Sequence, residues 1–457
     1  MGRRVGNQRV RHIILLVVIA FAASACALDQ PTIEQTLPLP TIAATLTRTI
    51  APSPSLTPEP TQTRTPKPTA TTIPYVAFSH TPAESAYQIP LTVQRLTPFE
   101  ANVHFELDRP SSGWLLYRPE LNEVTGWWTI PLAADEAMHQ IPLVGLTPGT
   151  RYLVQVGLGE DLESLLVPRL FGSSWGPIRF EAPAIGEPEF RFGVIGDSGF
   201  GDDRTRQLVN LMASYDLDFV LHTGDVVYNV YEESGPEEAF ATKYYRVFAP
   251  LLVEHPVFPV LGNHEFDIAA RSESRPFFIR AFHSMTDPSV PETALGTWYA
   301  FGFSGIQFLM LDSQAFHGAG GRAEQTAWLT ERLADPNYRF SIPVFHTPPY
   351  TSGRHRNDGA AVRSDWIPLF EGASVPITFS GHDHNYERIL RNGITYMVSG
   401  GGSPVLYPET ERVEGSQKFQ RRMHFILVEV INSNISLSAI DIDGMVLDRT
   451  TIPVSPD

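Results

Sequence analysis

Five short apolar runs in the second part of this 457-residue chain each end in a loop built from Gly, Asp, Asn and His. Phe190–Ile195 leads into Gly196-Asp197-Ser198-Gly199, and Phe219–Leu221 into Gly224-Asp225-Val226-Val227-Tyr228. Val257–Leu261 leads into Gly262-Asn263-His264-Glu265, Ile342–Phe345 into His346-Thr347-Pro348-Pro349-Tyr350, and Ile377–Phe379 into Gly381-His382-Asp383-His384. No other feature limits the possible folds as much. Runs this apolar and this short suit strands covered on both faces. Thr205–Tyr215, between the first two, has a helix-like pattern, which makes a β-α-β unit. Strands connected in this way send their C-terminal loops to one crevice. Downstream, Gln325–Leu333 places Trp328, Leu329 and Leu333 on one helical face, read as core, and Phe425–Ile452 alternates like strands that close a sheet.

The front of the chain is of a different kind. Residues 1–25 hold Arg3, Arg4, Arg9 and Arg11, then an apolar run of 13 residues from Ile13 to Ala25, followed by Cys26. A membrane-spanning helix needs about 20 apolar residues, so this run has the length of a signal peptide's apolar region instead. Cys26 is the only cysteine, which excludes a disulfide framework, a Cys-rich zinc site and a Cys-ligated iron–sulfur cluster. The segment resembles a bacterial lipoprotein signal, with Ala23 where Leu is usual. That resemblance implies lipidation at Cys26, export, and a cell-surface chain held to the membrane by its lipid; an ordinary secretory signal cut beside Ala25 is the alternative. Formal net charge is −16, from 34 basic and 50 acidic residues, which argues against a nucleic-acid carrier. Loss of the four arginines would bring it to −16 − 4 = −20, so any membrane attachment would rest on the lipid and not on charge.

Residues 26–75 read as a lipid-anchored Pro/Thr-rich linker. Asp29–Pro74 contains 10 Pro and 13 Thr in 46 residues, too few apolar groups to offset chain entropy, so an extended stalk is expected. Residues 76–186 look all-β, with alternating segments at Asn102–Leu107, Trp114–Tyr117 and Tyr152–Val156 between Pro, Gly and Asn turns. The run Leu143–Val156 resembles the end of a fibronectin type III module, which implies an all-β sandwich with a tyrosine corner at Tyr152. Trp127 and Trp128 are read first as packing aromatics and second as an exposed binding patch.

Over residues 187–457 the five loops, taken together, resemble the metallophosphoesterases, and specifically the purple acid phosphatases. The distinguishing residue is Tyr228. Many metallophosphoesterases carry a histidine two positions after the first aspartate, where this chain has Gly199; the purple branch supplies a tyrosine three positions after the second aspartate. The resemblance implies an α/β four-layer αββα sandwich and two metal ions. Asp197, Tyr228 and His384 would hold the first ion, Asn263, His346 and His382 the second, and Asp225 would bridge them. Phenolate favours a trivalent ion such as Fe³⁺, and imidazole suits divalent Fe, Zn or Mn. The function so implied is an extracytoplasmic phosphatase that hydrolyses small phosphomonoesters by attack of a metal-bound hydroxide. His264 and His355 are the candidates for protonating the leaving alkoxide. Arg354, Arg356 and Arg388 are open to two readings, phosphate contacts or solvated loop charges. Two other functions stand beside the leading one: a phosphodiesterase or nucleotide hydrolase with the same metal centre, and a non-catalytic surface binding lipoprotein.

Overall fold

Period-two alternation in the N-terminal part becomes seven strands: β1 (Tyr87–Leu96), β2 (Glu100–Leu107), β3 (Gly113–Pro119), β4 (Trp128–Pro131), β5 (Met138–Val144), β6 (Arg151–Leu158) and β7 (Ile178–Glu181). The computed structural model describes residues 87–454 apart from 122–125, 162–164, 166–176, 187–188, 230–234, 267–273, 283–284, 286–289, 291–296, 318–320 and 433. The expected signal segment, Cys26 and the Pro/Thr-rich stretch lie outside the described residues. The seven strands form two antiparallel sheets, ordered β1-β2-β5 and β4-β3-β6-β7. Ile89, Leu91, Val103, Phe105, Leu115, Val154 and Phe180 are buried between them. The Tyr152 hydroxyl accepts a hydrogen bond from the Thr147 amide at 2.9 Å and ties the 147–152 turn to the core. Trp128 is 43% exposed, so it does not belong to that core.

Two more sheets follow. The first holds β8 (Phe190–Ile195), β9 (Phe219–His222), β10 (Val257–Pro259), β18 (His424–Ile431), β19 (Asn434–Asp441) and β20 (Val446–Pro453), in the order β10-β9-β8-β18-β19-β20. β8 and β9 run parallel, with Phe192 opposite Phe219, while β18 lies antiparallel to β8 with Ile426 opposite Val194. The second holds β11 (Tyr299–Phe303), β12 (Ile306–Met310), β13 (Phe340–Val344), β14 (Ile377–Ser380), β15 (Tyr386–Arg391), β16 (Ile394–Ser399) and β17 (Ser416–Gln420), in the order β11-β12-β13-β14-β16-β15-β17.

The two sheets meet through phenylalanines. Phe192 packs edge-on against Phe308 and Phe379, with ring centroids 5.4 and 6.0 Å apart, and Phe219 against Phe308 at 5.2 Å. Helices cover the outer faces. Asp202 accepts from the Thr205 amide and starts α1 (Asp203–Ala213), which buries Leu208, Val209 and Met212. α2 (Pro236–Ala239) runs through a π-helical turn, Phe240–Tyr245, into α3 (Arg246–Leu252), and α4 (Ser274–Ala281) follows. Over the second sheet, α5 (Arg322–Leu333), α6 (Ala360–Asp365) and α7 (Ile367–Gly372) join Trp328, Leu329, Trp366 and Phe370 to Leu309, Leu311 and Phe345 in a separate core. The layers are helix, sheet, sheet, helix.

Residues 75–457 form one compact unit. Within it Arg179 pairs with Glu254 at 2.7 Å and Arg280 with Glu106 at 3.0 Å, and Gln94 Nε2 donates to the Ala281 carbonyl. These bonds fasten the seven-stranded part to α3 and α4. No helix among the described residues is long and apolar enough to cross a membrane.

Candidate metal centre

Every apolar run singled out in the sequence ends on the same side of the sandwich. Asp197 follows β8, Asp225 and Tyr228 follow β9, Asn263 follows β10, His346 follows β13, and His382 and His384 follow β14. Parallel strands β8, β9 and β10 in one sheet and β13 and β14 in the other deliver these loops to the seam between the sheets. Asp197, Asp225 and His382 adopt left-handed backbone, with φ of 60°, 55° and 69°. A non-glycine residue held there costs about 1–3 kcal/mol, and such strain gathers at sites that must aim a side chain.

Hydrogen bonds over-determine the strained loops. Asp197 accepts from the His382 amide on both carboxylate oxygens, at 3.1 and 3.0 Å, joining one sheet to the other. Buried Glu265 accepts from the amides of Val226 (2.8 Å), Val227 (3.2 Å), Asp225 (3.2 Å) and Gly262 (2.7 Å). It thereby fixes the loop that carries Asp225 and Tyr228. Burial and the neighbouring Asp225 push the Glu265 carboxyl up to about 8, against the pull of those amides. Gly262 must lack a Cβ, because one would collide with the Asp225 carboxylate.

The imidazoles are aimed by their second nitrogens. His346 Nδ1 donates to the Thr223 carbonyl at 2.8 Å and His384 Nδ1 to the Val405 carbonyl at 2.6 Å. Each Nε2 therefore faces inward, the arrangement that orients metal-ligating histidines. His346 Nε2 lies 2.9 Å from Asn263 Oδ1 and 3.4 Å from Asp225 Oδ1. His384 Nε2 lies 3.1 Å from the Tyr228 hydroxyl and 3.5 Å from Asp197 Oδ1, and the Tyr228 hydroxyl donates to Asp197 Oδ1 at 3.4 Å. Asp197, Asp225 and His346 are all buried and present ligand atoms within 4.8 Å of one another.

Burial and the Asp225 and Asp197 carboxylates push the Tyr228 phenol well above its ordinary value of 10. Burial works against a charged His346, yet Asp225 outweighs it and drives the imidazole up to about 9. Both directions describe an excess of buried acceptors that draws positive charge inward. Two carboxylates, a phenol, an amide oxygen and inward-facing imidazoles are the hard-oxygen and nitrogen donor set of trivalent and divalent iron, zinc or manganese. The residues present fit such ions.

His382 stands slightly apart. Its ring lies 5.0 Å from that of His346, but its Nε2 is 2.9 Å from Asp358 Oδ2, which also accepts from His355 Nδ1 at 3.0 Å. His355, Asp358 and His382 thus form a second cluster able to hold a cation. The hydrogen bond to His382, ahead of that to His355, holds the Asp358 carboxyl down at about 2. His264 packs edge-on against Tyr228, with ring centroids 4.3 Å apart, and its amide donates to Asp225 Oδ1 at 2.9 Å. Both proton-transfer candidates therefore border the cluster, His264 against Tyr228 and His355 against His382.

Sequence reasoning assigned no role to Glu265, Asp358, Asp383 or Tyr407. Glu265 and Asp383 lie inside two of the quoted motifs, which was the available signal. Tyr407 comes from an irregular loop and stacks on His384, with centroids 4.3 Å apart and planes 10° off parallel. The three arginines also separate. Arg356 pairs with Glu411, and Arg388 with Asp448 at 2.8 Å, whereas the Arg354 guanidinium lies over the Tyr407 ring at 5.1 Å.

A cluster of this composition at the joined strand ends of an αββα sandwich is a candidate site for metal ions. Residues 190–386 match the family of calcineurin-like phosphoesterases. Among similar proteins, Purple acid phosphatase 23 of Arabidopsis thaliana is 26% identical over 56% of this chain and 58% of its own. Purple acid phosphatase 4 of the same plant is 25% identical over 56% of this chain and 82% of its own. The matched segment spans only 50–59% of several other such relatives. In fold, the chain is similar to a purple acid phosphatase from yellow lupin (Lupinus luteus) seeds, with a TM-score of 0.64 and 18% identity over 80% of this chain and 74% of that one. The structure of PhoD is similar too, with a TM-score of 0.55 and 13% identity over 81% and 93%.

Proposed function

We propose that this chain is a surface-anchored, dinuclear-metal phosphomonoesterase of the purple acid phosphatase type. The observation that carries the reading is the convergence of Asp197, Asp225, Tyr228, Asn263, His346 and His384 from five strand ends, with two imidazole Nε2 atoms turned onto oxygen acceptors. Asp197, Tyr228 and His384 would hold one ion, Asn263, His346 and His382 the other, and Asp225 would lie between them. When bound, such a pair supplies Lewis-acid charge at the phosphoryl oxygens and a nucleophile at neutral pH.

The protein residues do the rest. Asp358 accepts from His355 Nδ1 and balances the charge of the imidazolium, whose Nε2–H would be the proton for the leaving oxygen. His264, packed against Tyr228, is the second candidate to donate to a phosphoryl oxygen or to the leaving group. The thickness of Tyr407 against His384 keeps water from one flank of that ligand. Among the described residues the Arg354 guanidinium lies over the Tyr407 ring and meets no carboxylate, which supports the phosphate-contact reading for this arginine.

Two features outside the centre complete the proposal. The 3 + 4 strand order and the hydroxyl bond of Tyr152 support a fibronectin type III-like module in front of the hydrolase. The arginine-rich start, the apolar run and Cys26 support export and a lipid anchor.

The test is turnover of p-nitrophenyl phosphate by the purified holoprotein, with metal content and visible spectrum measured on the same sample. Asp225→Asn should abolish turnover and lower metal content, and Tyr228→Phe should bleach a tyrosinate-to-Fe³⁺ absorption band. Full activity in Asp225→Asn sinks the metal-pair reading. Faster cleavage of the bis ester than of the monoester makes the chain a diesterase. Absence of stoichiometric metal returns it to a binding protein.

A further inference from the structure

The segment that carries His355 touches the metal centre through one side chain that the motif does not require. Asp383 sits between the two histidines of Gly381-His382-Asp383-His384, and it is fully buried. Its carboxylate turns away from the candidate ligands and onto the loop that follows β13. There it accepts from the Thr351 hydroxyl at 2.7 Å, from the Arg354 amide at 2.9 Å and from the His355 amide at 3.2 Å on each oxygen. Both oxygens are occupied, and all three donors lie within five consecutive residues.

The approach is close enough to restrict the loop's sequence. A Cβ on Gly353 would stand 2.7 Å from Asp383 Oδ2 and from Asn385 Nδ2, so the chain can pass there only as glycine. One strand further on, buried Glu387 accepts from the Ser352 amide at 2.7 Å and the Ser416 hydroxyl at 2.6 Å. Glu387 thus secures the loop's start, and Asp383 secures the two residues whose side chains point to the centre. On the outer side Asp358 accepts from His355 Nδ1. Asp383 sets where its backbone stands.

We infer that Asp383 is a positioning residue for proton transfer to the leaving group, acting through the backbone of Arg354 and His355. The inference rests on the phosphoester-hydrolase reading above. In the step concerned the P–O bond to the leaving group breaks and its electron pair stays on the leaving oxygen. That oxygen takes the proton from His355 Nε2, leaving a neutral imidazole. The demand for this proton depends on the leaving group. An aryl oxide such as p-nitrophenolate departs without it, whereas an alkoxide does not. A residue that merely supports the metal ligands would slow both kinds of ester equally.

The experiment compares kcat for p-nitrophenyl phosphate and for glycerol 2-phosphate in the metal-loaded, full-length protein. Asp383→Ala should lower the alkyl-to-aryl rate ratio at least about tenfold, within the range general acid catalysis supplies, with metal content unchanged. Asp383→Asn, which keeps one oxygen acceptor, should recover part of the ratio. Thr351→Val, which removes one of the donors without opening a cavity, should shift it in the same direction by less, and decides the matter if Asp383→Ala does not fold. In a His355→Ala background, Asp383→Ala should move the ratio no further. The inference is overturned if both esters slow equally at full metal content, if the ratio stays put, or if Asp383→Ala shifts it again without His355. Hydrolysis of neither ester by the wild-type holoprotein would refute the phosphoester reading itself, an outcome distinct from an active enzyme with an unmoved ratio.

Discussion

His424 gives a test of the fold that needs no assay of activity. It is fully buried behind the 399–402 loop, its Nδ1 donates to the Arg422 carbonyl at 2.9 Å, and its Nε2 lies 3.2 Å from the Ser399 hydroxyl. Burial outweighs the hydrogen bond to Arg422 and lowers its pKa from 6.5 to about 4. A histidine whose folded value is depressed contributes its full stability above 6.5 and loses it as pH falls toward 4, because the unfolded chain takes up the proton first. At 1.36 kcal/mol per tenfold change, the loss for this one side chain is about 2 kcal/mol at pH 5 and about 3 kcal/mol at pH 4. His222, also buried and lowered to about 4, adds a similar amount. Glu265 and Glu387, raised by burial, act in the opposite direction, so the total pH slope of the wild type does not isolate the histidines. The difference between wild type and His424→Gln does. Urea unfolding of both proteins at pH 7.5, 5 and 4 should show the wild-type advantage shrinking by about 3 kcal/mol across the range. An advantage constant to within about 0.5 kcal/mol would refute a neutral, buried His424.

Two further expectations concern the rim of the centre and the front of the chain. Arg354→Ala should raise KM for phosphate esters about five- to thirtyfold, in keeping with roughly 1–2 kcal/mol for a charge-assisted hydrogen bond, while Arg356→Ala, whose guanidinium is engaged by Glu411, should change KM less than about twofold; equal effects from the two would place both among solvated charges. Cys26→Ala should move the expressed protein from the membrane fraction to the soluble exported fraction, and retention at the membrane would exclude a lipid at that position.

Much of the four-layer part was legible because its strands are short and covered on both faces. Phe190–Ile195 emerges with the bounds read from the sequence, and the other four runs agree to within two or three residues. Their loops had to converge because parallel strands point their C-terminal ends one way. The hairpin of β11 and β12, by contrast, had no comparable motif, and yet it forms one edge of the second sheet and supplies Phe308 to the inter-sheet core. The aromatic pair Trp127–Trp128 was open in sequence for a related reason. Burial of a strand's side chain depends on what lies opposite it, and Trp128 in β4, packed edge-on against Tyr117, stays 43% exposed.

The sequence by itself determined which side chains are available: carboxylates, imidazoles, an amide and a phenol at the ends of apolar runs, and no thiolate beyond Cys26. Tertiary structure alone decided what each is attached to. Asp383 and Glu387 reach a loop about 30 residues earlier in the chain, Glu265 reaches one about 40 residues earlier, and Tyr407 lies flat on His384 from a loop with no repeating pattern. Periodicity reports on contacts within an element or between neighbouring strands. The hydrogen bonds that aim these side chains run between loops from different strands, and those joining Asp197 to His382 and His346 to Thr223 exist only once the two sheets have closed on each other.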